Sequence, residues 1–302
     1  MSNALAIGCR CGVPVVMRAE NVEHLIFSRL ASASAPSLRS WVWRREAASL
    51  RQTEAEWCRA SDLCLAISDE DREVLQSLAP TNRVVTVPAG SAISTEIPPV
   101  PRAVCEPHFL HLGNLDWPPR MEGLLWFLRE VWPLARATIP DVRLSIAGKL
   151  SRAARKCIAR LNPENVAILG YVPEVDPLAQ NCAGLVVPMR SGGGIKIRVL
   201  TAWAKGWPVV GTRLMTEGLP ALDGVNCLAA DEPDALAERM RRLCCEPRLR
   251  AALVRAGYEV CNAQFSWSAI ARRVIQEHQH CLGTHKAKPS VLGSGCLTEC
   301  SR

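Results

Sequence analysis

Residues Ala183 to Thr212 read AGLVVPMRSGGGIKIRVLTAWAKGWPVVGT, and this stretch decides the fold. Ala183 to Pro188 is a short apolar run with the character of a buried strand, Arg190 to Gly194 is too glycine-rich for helix or strand, and Ile195 to Lys205 has helical spacing. A second buried strand, Pro208 to Gly211, follows. Strand, glycine loop, helix, strand is the unit that leaves bare N–H groups at a helix start, where a phosphate can sit. Lys196 and Arg198 fall in that helix's first turn, where the macrodipole is already positive. Two readings stand: an anion resolves the conflict of charges, or the cations form a solvated turn after an ordinary αβ loop.

Outward from this unit the second half of the chain repeats strand then helix. His108 to Leu112, Val142 to Ala147, Val166 to Leu169 and Cys227 to Ala229 read as strands; with the two above they make six. Between them lie helices over Arg120 to Ile139, Ser151 to Leu161 and Pro173 to Asn181, and beyond them helices over Asp234 to Cys245, Pro247 to Asn262 and Trp267 to Cys281. Alternation of this kind predicts an α/β fold with right-handed crossovers and a parallel, doubly wound sheet. The first half carries three further strands, Val13 to Met17, Leu63 to Ile67 and Arg83 to Val87. Helices are expected over Asn21 to Ala31, Leu38 to Arg59 and from Ser68, an N-cap ahead of Asp69, Glu70 and Asp71, to Leu78. The proline-rich stretch Pro88 to Pro107 reads as a linker. Three regions are therefore expected: 1–97, 98–282, and an irregular polar tail, 283–302.

Composition places the chain among soluble globular proteins: 302 residues, 48% hydrophobic and 22% charged. A formal charge of +7, mostly from arginine, suits a phosphate-bearing substrate, an anionic membrane face or nucleic acid. No basic run carries the interleaved aromatics of a single-strand binder, so no nucleic-acid partner is expected. The 14 cysteines are scattered, several inside apolar runs (Cys64, Cys182, Cys227), and no signal peptide precedes them. Reduced thiols in a cytoplasmic protein are the expectation, with no metal site, since no zinc-type pair of cysteines has a matching partner. No apolar run reaches the roughly 20 residues needed to span a bilayer. Residues 38–59 combine Arg39, Trp41, Trp43, Arg44, Arg45 and Arg51, which admits peripheral contact with the inner face of a membrane or a solvated helix whose tryptophans pack on neighbours.

Several motifs in order resemble the retaining glycosyltransferases of GT-B type, family 4. They are MRAENVEH (Met17 to His24), LAISDEDREVLQ (Leu65 to Gln76), VVTVPAG (Val84 to Gly90), FLHLGNLDWPPRMEGLLWFLREVWP (Phe109 to Pro133), GYVPEV (Gly170 to Val175), and the Pro188 to Thr212 segment with TEGL just after it. The resemblance implies two Rossmann-like domains facing across a cleft, the C-terminal one binding a nucleoside diphosphate sugar and the N-terminal one shaping the site of a glycan or lipid-linked acceptor. It implies transfer with retention of configuration, in cell-envelope or exopolysaccharide synthesis, with no cofactor and no essential metal. Residue by residue, it assigns Gly113, Asn114, Arg190, Ser191, Gly192, Gly193, Gly194, Lys196 and Arg198 to the donor diphosphate and sugar. Tyr171, Val172 and Thr201 go to the ribose and base, Glu20, Asn21 and His24 to the acceptor side, and Glu20 and Arg198 to catalysis.

The sequence also departs from the family. Its pair of donor-loop glutamates falls here on Gly193 and Thr201, and a hydroxyl at Thr201 bonds a ribose less well than a carboxylate. Glu20 stands where relatives have His, and Arg120 where they have Asn after Pro118-Pro119. Relatives also place a strand and glycine loop well upstream of the MRAENVEH-like motif, so the acceptor domain is expected to be truncated. A non-catalytic module that binds nucleotide sugar or glycan is the second expectation.

Overall fold

The computed structural model describes residues 13–33, 35–91, 93, 107–180, 182–192 and 195–284. The expected boundary between 97 and 98, and the glycines Gly193 and Gly194, lie outside the described residues.

The first sheet has three parallel strands in the order β1 (Val16–Ala19), β2 (Leu63–Ala66), β3 (Arg83–Thr86). Its first strand begins later than its apolar run suggests. Parallel pairing with β2, Val16 opposite Leu63 through Ala19 opposite Ala66, sets the bounds, so Arg18 and Ala19 belong to the strand and Glu20 stands at its carboxyl end. Side chains alternate between faces with period two. Met17, Cys64, Ala66 and Val84 pack under helices α1 (Glu23–Ala33), α2 (Leu38–Ala60) and α3 (Asp69–Leu78), with Val22, Ala55, Cys58 and Leu75 in the same cluster. Leu63, Leu65, Val16 and Val85 face the other way, against Ile270, Val274 and Cys281 of the last helix.

The second sheet has six parallel strands in the order β6-β5-β4-β7-β8-β9, with β4 His108–Leu112, β5 Arg143–Ala147, β6 Val166–Gly170, β7 Gly184–Val187, β8 Val209–Gly211 and β9 Leu228–Ala229. Its two faces are separately filled. Phe109, Leu144, Ile146, Val186 and Val210 meet a layer that includes Leu124, Phe127, Trp132 and Leu236. On the opposite face Leu110, Leu185, Val187 and Val209 meet Val199, Leu200, Trp203 and Cys261. Those layers are built from α4 (Pro118–Trp126), α5 (Trp132–Thr138), α6 (Arg152–Ala159), α7 (Asp176–Gln180), α8 (Ile197–Ala204), α9 (Pro233–Cys245) and α10 (Pro247–Gln264).

The helix expected over Arg120 to Ile139 is interrupted by one π turn, Phe127–Val131, between α4 and α5. Pro133, in the first turn of α5, supplies the cause: a ring without an N–H crowds the carbonyl four residues back and widens the preceding turn. The helix expected over Pro173 to Asn181 is seen as Asp176–Gln180; Pro173, Glu174 and Val175 form no regular element, and Asn181 lies outside the described residues.

The last helix, α11 (Trp267–Thr284), was grouped by sequence with residues 98–282, yet it returns to the three-stranded sheet. Glu277 pairs there with Arg83, Nη2 to Oε2 2.7 Å, and the Ser91 amide donates to the Phe265 carbonyl at 2.8 Å. Gly283 and Thr284, expected in the tail, complete this helix; residues 285–302 lie outside the described set.

Candidate functional site

In a doubly wound sheet, ligands bind where the connections from two neighbouring strands run to opposite faces. Here those strands are β4 and β7: α4 follows β4 over one face and α8 follows β7 over the other. Close approach of backbones shapes this edge. Gly113, just after β4, has φ +155°, and a Cβ there would lie 3.2 Å from both Arg198 Nη1 and Arg120 Cδ. Glycine at this position makes room for two guanidinium groups. After β7 come Arg190, Ser191 and Gly192, the last at φ +131°.

Arg198 sits in the first turn of α8 with its side chain folded under the loop, where Nη1 donates to the Leu112 carbonyl at 2.7 Å. Burial, aggravated by neighbouring Arg120, pulls its pKa down to about 9. Burial likewise lowers Arg120, which stacks over Trp117 at 5.3 Å from the ring centroid, its Nε buried without a hydrogen-bond partner. Among the described residues no carboxylate pairs with either group. Beneath them His111 is held to about pKa 3 by burial and then by Arg198. Its Nδ1 lies 3.0 Å from the Val186 carbonyl, which only accepts, so the neutral ring carries its proton there. Two partly buried cations over a neutral imidazole make an electropositive floor.

Lys196 is different. It occupies the N-cap position of α8 in non-helical backbone rather than the first turn, and it is buried rather than solvated. Its Nζ meets Glu217 Oε2 at 3.3 Å. Glu217, just beyond the 3-10 turn Arg213–Thr216, is gripped from the other side by Arg29 of α1, with Nη2 to Oε1 at 2.6 Å and Nη1 to Oε2 at 2.8 Å. Arg29 Nη1 also donates to the Gly192 carbonyl. One carboxylate thus ties the three-stranded half to the glycine loop. Burial pushes Glu217 up, but bonds from Arg29 and the charge of Lys196 outweigh it and hold the group below the usual carboxylate range. Burial lowers Lys196 despite Glu217, and raises Asp71, buried nearby, to about 6.

A pocket of about 180 Å³ joins the two halves: Glu20, Asn21 and Ile67 on one wall, Trp117, Arg120, Lys196 and Arg198 on the other. Of the residues expected in the site it brings together Glu20, Asn21, Lys196 and Arg198. Glu20 is exposed and pairs with Arg18 at 2.7 Å, while Asn21 Nδ2 donates to Glu23 at 3.3 Å. His24 lines no part of this pocket; it is buried, with Nδ1 2.5 Å from Glu54 Oε2, a carboxylate that also accepts from the Glu23 amide. Tyr171 points out at 77% exposure, Val172 packs beside the second sheet, and the Thr201 hydroxyl donates back to Ile197 O at 2.9 Å. Asn114 accepts from the Asp116 amide at 3.1 Å, which fixes its turn. Arg190 lies over the Trp126 ring, 3.8 Å from Glu122.

Sequence reasoning gave no site role to Arg29, Trp117 or Glu217, and noted Arg120 only as a departure from the family. Trp117 and Arg120 stand inside the quoted segment DWPPR and Glu217 inside TEGL, and the charges there were the available signal. Arg29 had none, because its partners are far away in sequence.

Comparison with known proteins bears on these residues. Residues 106–246 match the family model described as "Glycosyl transferases group 1". The chain is 28% identical over 138 residues to an uncharacterized 44.6 kDa protein in the cps region of Klebsiella pneumoniae, a match covering 43% of this chain and 35% of that protein. The matched stretch is therefore about a third of that relative's length. Among solved structures, sucrose-phosphate synthase from Thermosynechococcus elongatus superposes with TM-score 0.70 at 18% identity, covering 89% of this chain and 68% of that one. Anabaena HepE in complex with UDP and glucose gives 0.67 at 15% identity over 93% and 76%. The pneumococcal O-GlcNAc transferase GtfA, in complex with UDP and GlcNAc, gives 0.60 at 18% identity over 78% and 48%. The α/β architecture, with its two parallel sheets, is the GT-B glycosyltransferase fold.

Proposed function

We propose that the chain is a glycosyltransferase that moves a sugar from a nucleoside diphosphate sugar to a glycan or lipid-linked acceptor, retaining the anomeric configuration, without an essential metal. One observation carries this reading: Arg198 and Arg120 sit together, partly buried, at the switch point, and among the described residues no carboxylate pairs with either. A buried cation without a counter-anion is costly, and a diphosphate fits the deficit. As the glycosyl–phosphate bond breaks, charge grows on the leaving diphosphate, and guanidiniums already fixed in place stabilise it without reorganising. Gly192 leaves the backbone open to the phosphates, Gly193 and Gly194 are assigned to the same role as residues without side chains, and Gly113 and Asn114 border the crevice. Arg190 and Ser191 continue the loop toward the donor sugar, and Tyr171, Val172 and Thr201 serve the base and ribose. Lys196 joins the phosphate site by exchanging Glu217 for the ligand. Glu20, Asn21 and His24 form the acceptor side, with Glu20 across the pocket from Arg198. The cps-region relative supports a place in polysaccharide synthesis.

A second reading, a nucleotide-sugar or glycan-binding module without turnover, draws on the Arg18–Glu20 pair and on the Thr201 hydroxyl already bonded to Ile197. Incubation of purified protein with a panel of UDP- and GDP-sugars, following release of nucleoside diphosphate in the presence of glycan and lipid-linked acceptors, separates them. Acceptor-dependent release is expected. Nucleotide binding without release supports the module, and neither binding nor release overturns both.

A further inference from the structure

We infer that the first two turns of α2 are a docking face for an anionic lipid surface. The helix opens with a capping box, Ser37 with Ser40, so these turns are fixed in place. Leu38, Trp41, Val42 and Arg45 share one helical face, and the three apolar members are exposed, at 78%, 55% and 48%. The buried residues of α2 lie elsewhere: Ser40, Glu54, Ala55 and Cys58, mostly in its second half. Further along the exposed face come Ser49, Gln52 and Glu56, so the apolar patch is confined to the start of the helix.

Charge identifies the occupant. Residues 38–51 hold Arg39, Arg44, Arg45 and Arg51 against one acid, Glu46. Two of these arginines lie over tryptophan rings, Arg39 at 4.5 Å from the centroid of Trp43 and Arg45 at 5.9 Å from that of Trp41. Their cations are held beside the aromatic groups instead of extending freely into water. A patch of three apolar side chains is far short of the roughly 800 Å² per partner of a stable protein interface. It matches what a helix lying in the headgroup layer needs, apolar tips entering the acyl boundary within a basic fringe. Among the described residues no helix is long and apolar enough to cross a membrane, so attachment would be to one surface. The same turns wall a groove of about 830 Å³, where Arg39 and Trp43 face Met121, Leu125 and Trp126 of α4. The docking face and this groove therefore open on the same end of the molecule.

Flotation tests the inference directly, with vesicles of phosphatidylcholine alone and of phosphatidylcholine containing about 30 mol% phosphatidylglycerol. The full chain is expected to float with the anionic vesicles, to stay behind with the neutral ones, and to be released by about 0.5 M NaCl, where screening makes electrostatic attraction short-ranged. Trp41→Ser with Val42→Ser, and separately Arg44→Glu with Arg45→Glu, are each expected to lower the bound fraction at least tenfold while leaving circular dichroism unchanged. All four side chains are exposed, so the fold does not depend on them. Absence of flotation by the wild type, or equal flotation by both variants, overturns it. So does a concentration-dependent dimer in sedimentation that disappears with Trp41→Ser and Val42→Ser, which would assign the patch to a second copy of the chain.

Discussion

The two sheets use the same parallel pairing but are stabilised differently. The six-stranded sheet has a filled layer on each face, from helices that follow it or its own strands in sequence. The three-stranded sheet has its own helices on one face and depends on α11, from the far end of the chain, for the other. The difference teaches where precision resides. The larger sheet positions two partly buried guanidiniums that no carboxylate among the described residues pairs with, which demands a rigid frame, whereas the smaller sheet contributes exposed or paired groups such as Glu20 and Arg29.

Paired glycine substitutions give the sharpest contrast. In Gly123→Ala the new Cβ would lie 1.9 Å from the Pro188 carbonyl oxygen, backbone that cannot yield without shifting β7 and the loop behind it. A loss of about 3 kcal/mol is expected, read by chemical denaturation. In Gly90→Ala the clash is with the Trp267 ring, at 2.5 Å, but that side chain is exposed and free to swing away, so about 1 kcal/mol is expected. Equal losses would mean that the two halves are equally rigid.

Next in size is the contrast between two arginines. Arg198→Ala should weaken nucleoside diphosphate binding by about 1.5 to 3 kcal/mol, the worth of a charge-assisted bond, while Arg18→Ala leaves calorimetric affinity unchanged. Removing Arg198 also relieves its repulsion with Arg120, so the melting temperature should hold or rise. Lost stability with intact affinity would make Arg198 a structural residue.

The smallest effect concerns Asp71 in the first half. Burial raises its pKa from 3.8 to about 6, so the folded state binds this proton more tightly than the unfolded chain. The associated stability is complete below about pH 4 and is lost as pH rises through about 6. Asp71→Asn should remove that slope from a plot of melting temperature against pH, an effect confined to the window between about pH 4 and 6. An unchanged slope would place the titrating group elsewhere.

Much of the fold was legible because its signals are local. The runs in β2, β4 and β7, the Ser68 cap with its acidic first turn, and the alternation of strand and helix each need only neighbouring residues to be read. What was illegible depends on contacts distant in sequence. The return of α11 to the first sheet is one case, and the start of β1 is another, since pairing and not hydrophobicity sets it. In the candidate site the glycine loop and Arg198 announce themselves by composition. The Arg29–Glu217–Lys196 chain does not, because its acid and its arginine are 188 residues apart. Arg120 stood out only as a residue unlike the family's, and its meaning emerges from the space that Gly113 leaves for it beside Arg198.

Diffraction from crystals soaked in UDP or GDP tests the central claim most directly. The account predicts diphosphate oxygens within hydrogen-bonding distance of Arg198 and Arg120 at the start of α8, with Lys196 turned from Glu217 toward the ligand. A nucleotide bound with its diphosphate elsewhere, or a pocket left empty at saturating ligand, would contradict it.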